Sequence, residues 1–422
     1  MEKEKLFEDY VRILQAELIP AMGCTEPIAI AYAAARARQA LGRLPERICA
    51  HCSGNIIKNV KGVSVPNAGG LKGVEAAAIL GAVAGDAELG LEVVSHVTPA
   101  QQEQVRQLYE QGICSCRLVS GEENLYVRIE MSGGPDSVCV TLQGAHDHIS
   151  KIEKNGEVLW EQPEIPKEEA GDKSQLNLWD ILRFADEVPL SQIEAVLKRQ
   201  IAFNSAISQE GLKNCWGVQV GQTLLALEGD SLKTRVKAAA AAGSDARMSG
   251  CCMPVVINSG SGNQGITVSM PVIVYAGEKG MPEEKLLRAL ALSNLISIHQ
   301  KRYIGNLSAY CGAVSAGTAA ACGVAYLDGA DYDMIGKIII NALGAVGGIV
   351  CDGAKASCAA KIASAVEAGM LAYEMAKHGR VYSFGEGLVE GDYEQTIRNM
   401  GRLGREGMRS TDEEILHMMT GE

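Results

Sequence analysis

The sequence predicts an α+β fold, in which an α+β domain with an antiparallel meander is followed by a mostly helical domain. Apolar and polar residues alternate at 125–131 and again at 138–142, as they do in successive half-buried strands. The polar stretch 161–175 contains two prolines and has no apolar period, which indicates a linker. Because helical patterns dominate beyond that stretch, we expect domains at residues 1–160 and 176–422.

Local signals place several elements within these domains. Apolar residues at helical spacing from Phe7 to Leu18 predict an amphipathic first helix. Thr98 followed by proline is typical of a helix start, and Asn155 followed by glycine is typical of a hairpin. In the second domain, Ser191 and Thr411 each stand three residues before a glutamate, which predicts a capping box at a helix start.

Composition and charge exclude several classes of protein. The formal net charge of −12 at pH 7 argues against binding to nucleic acid or to an anionic membrane surface. The start of the chain is charged and amphipathic, so it does not read as a signal peptide. The stretch from Ile304 to Leu327 carries no charge, but its small residues favour a buried helix over a membrane span. We therefore expect a cytoplasmic protein without nucleic-acid or membrane partners.

Thirteen cysteines without a secretory signal indicate core residues, metal ligands or reactive thiols. Small residues and turn formers surround four of them, namely Cys24, Cys311, Cys351 and Cys358. Such surroundings offer a metal cluster the space and the backbone amides that it needs, although the spacing matches no ferredoxin or zinc-knuckle run. Most of the others are expected to fill the core, among them Cys49, Cys52, Cys139, Cys215 and Cys322.

A glycine-rich segment from Asn258 to Gly265 follows one apolar run and precedes another. Its glycines permit sharp turns with exposed amides, so it predicts a nest for a carboxylate or a phosphate; the alternative is a polar loop without a ligand. Arg247 is a candidate clamp for a substrate carboxylate, and the alternative there is a structural pair with Asp245. The candidate substrate-binding residues of the segment are Asn258, Ser259, Ser261, Asn263 and Gln264.

Two further candidates carry groups that can transfer a proton in catalysis. Lys301 precedes Cys311 by ten residues, so that a base can lie close to a metal site at that cysteine. His146 follows a predicted strand and can face a cleft, whereas the alternative is a solvated histidine in a turn. We therefore count both among the catalytic candidates, together with Cys24.

Four motifs, taken together, resemble a known family. They are Gly-Cys-Thr-Glu-Pro at Cys24, Asn-Ser-Gly-Ser-Gly-Asn-Gln-Gly from Asn258, Leu-Ser-Ala-Tyr-Cys-Gly at Cys311 and Cys-Asp-Gly-Ala-Lys from Cys351. In this order, and over nearly the whole chain, they resemble the motifs of the UPF0597-like L-cysteine desulfidases. These proteins are relatives of the bacterial iron–sulfur L-serine dehydratases.

The resemblance implies a [4Fe–4S] cluster in which one iron is left open. It implies β-elimination of L-cysteine to pyruvate, ammonia and sulfide, with that iron acting as a Lewis acid on the substrate thiolate. Cys311, Cys351 and Cys358 match cluster ligands of the dehydratases, but only six residues separate the last two, fewer than in those enzymes. The resemblance also implicates Cys24, as a further metal ligand or as an acid/base.

Other functions stay open at this point. One is an L-serine dehydratase-type deamination, and another is a pyridoxal-phosphate lyase that uses Lys301 or Lys355 for the Schiff base. A third is an iron–sulfur sensor or a cysteine-binding regulator, although the sequence has no DNA-binding signature. For the enzyme readings we expect a small amino acid as substrate and a homodimer as the assembly.

Overall fold

A computed structural model describes residues 2–119, 121–162, 170–305 and 307–421 of the chain. Within these residues, a mixed six-stranded sheet lies in the first part of the chain, and helices make up most of the remainder. The predicted α+β fold is therefore confirmed. Residues 163–169 of the predicted linker lie outside the described residues.

The first part of the chain contains the six-stranded sheet and the helices that pack beside it. Its elements are α1 (Glu2–Glu17), β1 (Pro20–Met22), α2 (Thr25–Leu41), β2 (Arg47–Ser53), α3 (Gly54–Val60), α4 (Gly73–Ala84), α5 (Pro99–Glu110), β3 (Cys114–Val119), β4 (Tyr126–Gly133), β5 (Asp136–Gln143), β6 (Ile149–Lys154) and β7 (Glu157–Glu161). Thr98 caps α5 in a capping box with Gln101. The helix start that was predicted at Thr98 is therefore confirmed.

The strand order of the sheet is β3-β2-β4-β5-β6-β7. Strands β2 and β3 are parallel, whereas β2 and β4 are antiparallel, as are the successive pairs from β4 to β7. The predicted meander therefore corresponds to β4–β7. The predicted hairpin turn joins β6 to β7 at Asn155, whose φ of 53° is the left-handed conformation that such a turn requires.

The two faces of the sheet have different surroundings. Ile48, Ala50 and Cys52 of β2 are fully buried on the face that packs against α2 and α4. Cys49 and His51 alternate with these residues and are half-buried on the opposite face, which we call the open face. The open face thus carries polar and sulfur-bearing side chains that the hydrophobic core does not use.

The cysteines that were expected in the core fall into two groups. Cys52 and Cys322 are fully buried, as predicted. Cys49 and Cys139 are only half-buried, because strand alternation points them toward the open face. Cys215 is exposed in the segment that follows a long helix of the second part. The core prediction is wrong for these last three residues.

The second part of the chain is almost entirely helical. Its elements are α6 (Leu178–Glu187), α7 (Glu194–Lys213), α8 (Val220–Glu228), α9 (Leu232–Met248), β8 (Pro254–Val256), α10 (Gly262–Glu278), α11 (Glu283–Ile304), α12 (Gly312–Leu327), α13 (Tyr332–Val346), α14 (Cys358–Lys377), α15 (Tyr393–Arg402) and α16 (Arg409–Thr420). Helix α9 is rich in alanine and α12 in alanine and glycine, and both are buried over most of their length.

Small residues allow these central helices to approach one another closely. At Gly317 of α12, a Cβ atom would lie 2.8 Å from the carbonyl oxygen of Ala365 in α14, so glycine is needed there. Of the uncharged stretch that was predicted to form a buried helix, residues 312–327 form α12, whereas Ile304 ends α11. None of the helices in the described parts of the chain combines the length and the apolar character that a membrane crossing requires.

Two predicted helix caps are wrong. Ser191 lies in a short 3₁₀ turn, and α7 begins only at Glu194, without a side-chain cap. Thr411 lies inside α16, which begins at Arg409 directly after a π-helical turn. In both places a preceding turn leads into the helix, so neither the serine nor the threonine is the N-cap residue.

Two contacts join the start of the chain to the helical part. Strand β1 pairs antiparallel with β8, with Pro20 opposite Val256. Helix α1 packs on α6, where the ring centroids of Phe7 and Phe184 lie 5.3 Å apart. These contacts place the turn after β1, which carries Cys24, beside the helical part.

Candidate active site

The N-termini of four helices meet at one cavity. Cys24 is the N-cap of α2, Ser261 is the N-cap of α10, and Cys311 is the N-cap of α12. Cys358 is the first residue of α14, and all four residues line the cavity. Because a helix N-terminus carries partial positive charge and free N–H groups, this arrangement favours thiolates, carboxylates and other anions.

Backbone pairing brings two of the cysteine motifs together. Tyr310 and Val350 form an isolated antiparallel bridge. The Cys311 N–H donates to the Ile349 carbonyl at 2.9 Å, and the Cys351 N–H donates to the Ala309 carbonyl at 2.7 Å. The two thiols interact, and this hydrogen bond lowers the pKa of Cys351 and raises that of Cys311. One thiolate is therefore favoured at this pair.

Cys24 and Cys358 meet at a second edge of the same cavity. Cys24 packs with Val63 and Met248, and Cys358 and Ala354 pack against this small cluster. Cys24 comes from the segment before α2, whereas Cys358 opens α14, so the two parts of the chain both contribute sulfur to the cavity.

The distances between these sulfur atoms limit the kind of metal centre that they can bind. Among the described residues, the only group of three or more ligand atoms that lie within 4.8 Å of one another is that of Cys49, His51 and Glu130, elsewhere in the fold. The four cavity cysteines are therefore spread more widely than the ligands of a single ion. Thiolate donors on separate sides of one cavity suit a multinuclear cluster better than a mononuclear site.

The glycine-rich segment forms a tight turn at the cavity wall. Ser259 and Gly260 have φ angles of 49° and 75°, and Asn258 and Ser261 exchange backbone hydrogen bonds of 3.1 and 3.0 Å. The Thr25 hydroxyl donates to the Gly260 carbonyl at 2.8 Å. A left-handed serine is uncommon and marks a backbone that its surroundings hold in place. The turn is thus fixed directly to the segment that carries Cys24.

The polar side chains of this segment divide into two groups. Asn258 does not line the cavity; its amide donates to Asn294 Oδ1 at 2.9 Å, and its Oδ1 accepts from Ser259 at 2.9 Å. Within the described part of the chain, Asn263 Oδ1 and Gln264 Oε1 are buried at the cavity without hydrogen-bond partners. The first group holds the turn, and the second is available to a ligand, since the oxygen and nitrogen of an amide are assigned from their partners.

Arg247 contributes an unsatisfied positive charge to the cavity. It is 3% exposed, and its Nε and Nη2 atoms have no hydrogen-bond partner among the residues that the structure describes. The structural pair with Asp245 is not formed, because Asp245 Oδ2 instead accepts from the Gly221 N–H at 3.1 Å. A buried guanidinium without partners is costly, so this one indicates an anionic ligand.

Lys301 lies at the end of α11 and lines the cavity together with Cys311 and Cys351. It is 5% exposed, and burial lowers its pKa to about 8 despite the nearby thiols. Lys355, the other lysine considered for a Schiff base, donates to Asp352 Oδ2 at 2.7 Å and is not a lining residue.

Sequence reasoning missed a buried carboxylate at the centre of this constellation. Glu26 Oε2 accepts from the Cys24 thiol at 3.0 Å, and Oε1 accepts from Asn59 at 3.0 Å. His146 Nε2 lies 3.9 Å from Glu26 Oε1. Burial opposes ionisation, but His146 and Cys24 lower the pKa of Glu26 to about 2, while burial and Glu26 raise that of Cys24. The Gly-Cys-Thr-Glu motif contained this signal, because Glu26 follows Cys24 by two residues at a helix start.

The cavity therefore gathers nearly all the predicted site residues. Those that line it are Cys24, His146, Arg247, Ser259, Ser261, Asn263, Gln264, Lys301, Cys311, Cys351 and Cys358, and those that were missed are Glu26, Asn59 and Tyr310. Tyr310 is 1% exposed, and its hydroxyl has no hydrogen-bond partner among the residues described. Thiols, basic side chains and hydrogen-bond acceptors thus meet at four helix starts. Such a set of groups is suited to chemistry on a small, charged molecule.

The sequence model of the family described as serine dehydratase alpha chain matches residues 88–417. The chain belongs to the serine dehydratase alpha chain family. The part that matches the family includes His146, Arg247, Cys311, Cys351 and Cys358, whereas Cys24 and Glu26 precede it.

Proteins named UPF0597 protein are similar to this chain over nearly their whole length. The one from Lachnoclostridium phytofermentans is 48% identical over 415 residues, which are 98% of this chain and 100% of the relative. The one from Finegoldia magna is 48% identical over 416 residues, 98% and 99% of the two chains. The one from Bacteroides fragilis is 36% identical over 417 residues, 97% of each chain. These similarities thus extend over most of the part that precedes the family match.

Proposed function

We propose that the chain is an iron–sulfur lyase that converts L-cysteine and water to pyruvate, ammonia and sulfide. The observation that carries this proposal is one cavity lined by four cysteines from three segments and by a buried Arg247, whose Nε and Nη2 have no hydrogen-bond partner among the described residues. Sulfur donors account for a cluster, and the guanidinium accounts for a substrate with a carboxylate. The family membership supports a lyase that acts on a small amino acid.

The residues present fit a [4Fe–4S] cluster. Cys311, Cys351 and Cys358 are partly exposed to the cavity, lie at helix starts or in a paired loop, and are spaced more widely than a single ion requires. We assign the cluster to these three cysteines, with Cys24 nearby as a fourth sulfur. When bound, such a cluster supplies a Lewis-acidic iron that can polarise the sulfur of the substrate.

Arg247 and the start of α10 are assigned to the substrate carboxylate. Nε and Nη2 of Arg247 offer two parallel donors, a geometry that matches a carboxylate. Gln264 lies against Gly312, where a Cβ atom would be 2.4 Å from the Gln264 amide carbon. The carboxylate end of the substrate is thereby held within reach of the Cys311 segment.

The elimination requires a proton to leave Cα while the bond between Cβ and sulfur breaks. The aminoacrylate that results tautomerises and takes up water to give pyruvate and ammonia, so the reaction needs no oxidant or reductant. We assign the removal of the Cα proton to Lys301, which lies beside the cysteine pair. His146 and Cys24, both within 4 Å of Glu26, are placed to deliver a proton to the departing group.

L-Serine dehydration is the second candidate, and membership of the serine dehydratase alpha chain family favours it. The same residues would hold the carboxylate and remove the Cα proton, with water leaving in place of sulfide. Cys24 and Glu26 distinguish the two candidates, because they lie outside the residues that match the family model. A buried thiol beside the leaving group is suited to a sulfur substrate, so we rank cysteine first.

The test is anaerobic purification, iron and acid-labile sulfide analysis, and assays of pyruvate from L-cysteine and from L-serine. We expect about four irons per chain and a larger kcat/KM for L-cysteine, with one sulfide released for each pyruvate. A larger kcat/KM for L-serine would establish the dehydratase. Activity in iron-free protein would contradict both candidates.

A further inference from the structure

A second set of metal-binding side chains lies on the open face of the six-stranded sheet, away from the cavity. Cys49 and His51 are two residues apart on β2 and therefore point to the same side. Glu130 of β4 is the register partner of Cys49. One ligand atom from each of these three residues lies within 4.8 Å of those of the other two.

We propose that Cys49, His51 and Glu130 form a zinc-binding site. A thiolate, an imidazole and a carboxylate are the donor types that zinc prefers, and three protein ligands with one open position make an exchangeable site. Cys49 and Glu130 line a depression that shares no lining residue with the candidate active-site cavity. The zinc site is thus independent of the proposed lyase reaction.

The contacts around these residues support a built site. His51 Nε2 is buried, has no hydrogen-bond partner in the described ranges and lies 3.2 Å from Glu130 Oε2. Arg128 Nη2 lies 2.9 Å from the other carboxylate oxygen, Glu130 Oε1. Arg128 Nε also donates to Cys139 Sγ at 2.8 Å. Arg128 therefore orients the carboxylate from behind and leaves Oε2 directed at His51, as outer partners of metal ligands do.

Charge limits the strength of this site. The depression of about 500 Å³ is also lined by Arg47 and Arg117. The electrostatic potential there is therefore less negative than the Cys49 thiolate and the Glu130 carboxylate alone would produce. Three ligands, partial exposure and nearby arginines predict binding that is weaker than in a four-ligand structural site. Zinc alone should bind reversibly and be removed by a chelator without unfolding the chain.

The experiment compares zinc binding by single variants of the anaerobically purified, full-length protein. Zn²⁺ alone is titrated by calorimetry into wild type, Cys49→Ser, His51→Gln and Glu130→Gln. Cys215→Ser, which removes an exposed cysteine elsewhere, is the matched control. Because every variant keeps the cavity cysteines, zinc bound there cancels in the comparison. Thermal unfolding checks that each variant is folded.

We expect wild type and the Cys215 variant to bind one zinc more per chain than the three site variants, or to bind it at least tenfold more tightly. With cobalt(II) as a probe, a thiolate charge-transfer band should appear in wild type and be absent in Cys49→Ser. Equal zinc binding by wild type and by all three site variants would overturn the site, and would leave an ion pair between His51 and Glu130 as the role of these residues.

Discussion

Gly262 lies directly against the guanidinium of Arg247. A Cβ atom at position 262 would be 2.3 Å from Arg247 Nε and 2.7 Å from Cζ, closer than two such atoms can approach. The first residue of α10 is therefore glycine because the arginine occupies the space that a side chain would take. This contact connects the glycine-rich segment to the proposed carboxylate site and yields the first prediction.

Gly262→Ala should displace the Arg247 guanidinium and weaken substrate binding. Loss of a charge-assisted pair costs about 1.5–3 kcal/mol, which corresponds to a roughly 10- to 100-fold increase in KM. Arg247→Lys should show a similar increase, because an ammonium cannot bind a carboxylate bidentately. Gly277→Ala, on the same helix with no atom near its Cβ, is the matched control and should leave KM unchanged. An unchanged KM in both cavity variants would remove the carboxylate assignment.

Asn204 should be a structural support for the cavity wall rather than a catalytic group. Its side chain accepts from the Val256 N–H at 2.9 Å and donates to the Gly265 carbonyl at 3.0 Å, in a fully buried position. Asn204→Leu leaves those backbone groups unpaired, so the free energy of unfolding should fall by about 2–4 kcal/mol. Urea denaturation measures this change. A variant as stable as wild type would show that the backbone finds other partners.

Local signals predicted the fold class and most of the cavity residues, since each cysteine motif is surrounded by small residues that other segments lack. What they did not show is the meeting of four helix starts, because strand β1 pairs with β8 across more than two hundred residues. Asn258 illustrates the same limit. The sequence predicts that its side chain binds the substrate, but the side chain is held instead by Asn294, which is 36 residues away on α11. The role of a polar residue in a turn depends on neighbours of this kind.

Asp245 should make the stability of the protein depend on pH. Burial raises its pKa from 3.8 to about 6, so the folded state keeps this proton to higher pH than the unfolded state does. Between these two values the folded state binds more protons, and stability therefore falls as pH rises and levels off above pH 6. Asp245→Asn should not lose stability in this pH range, because an amide does not titrate. Relative to wild type, it should gain on the order of 2 kcal/mol between about pH 4.5 and pH 7.5. A constant difference in urea denaturation would contradict the shift.

An isotope-exchange experiment should distinguish the proposed roles of Lys301 and His146. In D₂O, a base that removes the Cα proton catalyses exchange at Cα of the substrate, whether or not elimination follows. Lys301→Met should lose this exchange together with turnover, by about 10²- to 10⁴-fold in kcat. His146→Gln should lower turnover and retain exchange. Lys279→Met changes an exposed lysine at the C-cap of α10 and is the control. The reverse pattern would exchange the two roles.

The hydrogen bond of Cys24 favours a role as a proton donor over a role as a metal ligand. Its thiol donates to Glu26 Oε2 at 3.0 Å, and Glu26 is held in turn by Asn59. A cysteine that donates a proton to a carboxylate is arranged as an acid, whereas a metal ligand must be a thiolate. We therefore expect Cys24→Ala to keep the iron content and the visible spectrum of wild type.

Turnover of that variant should fall by about 10²-fold or more, because the departing sulfur loses its proton donor. Cys24→Ser, which keeps a donor at the same place, should recover part of the rate, and Cys215→Ala is the control for a cysteine outside the cavity. An altered spectrum with faster loss of iron in air would instead identify Cys24 as a ligand. Full activity with the wild-type spectrum would leave it as packing between the two parts of the chain, which its small cluster with Val63 and Met248 would then explain.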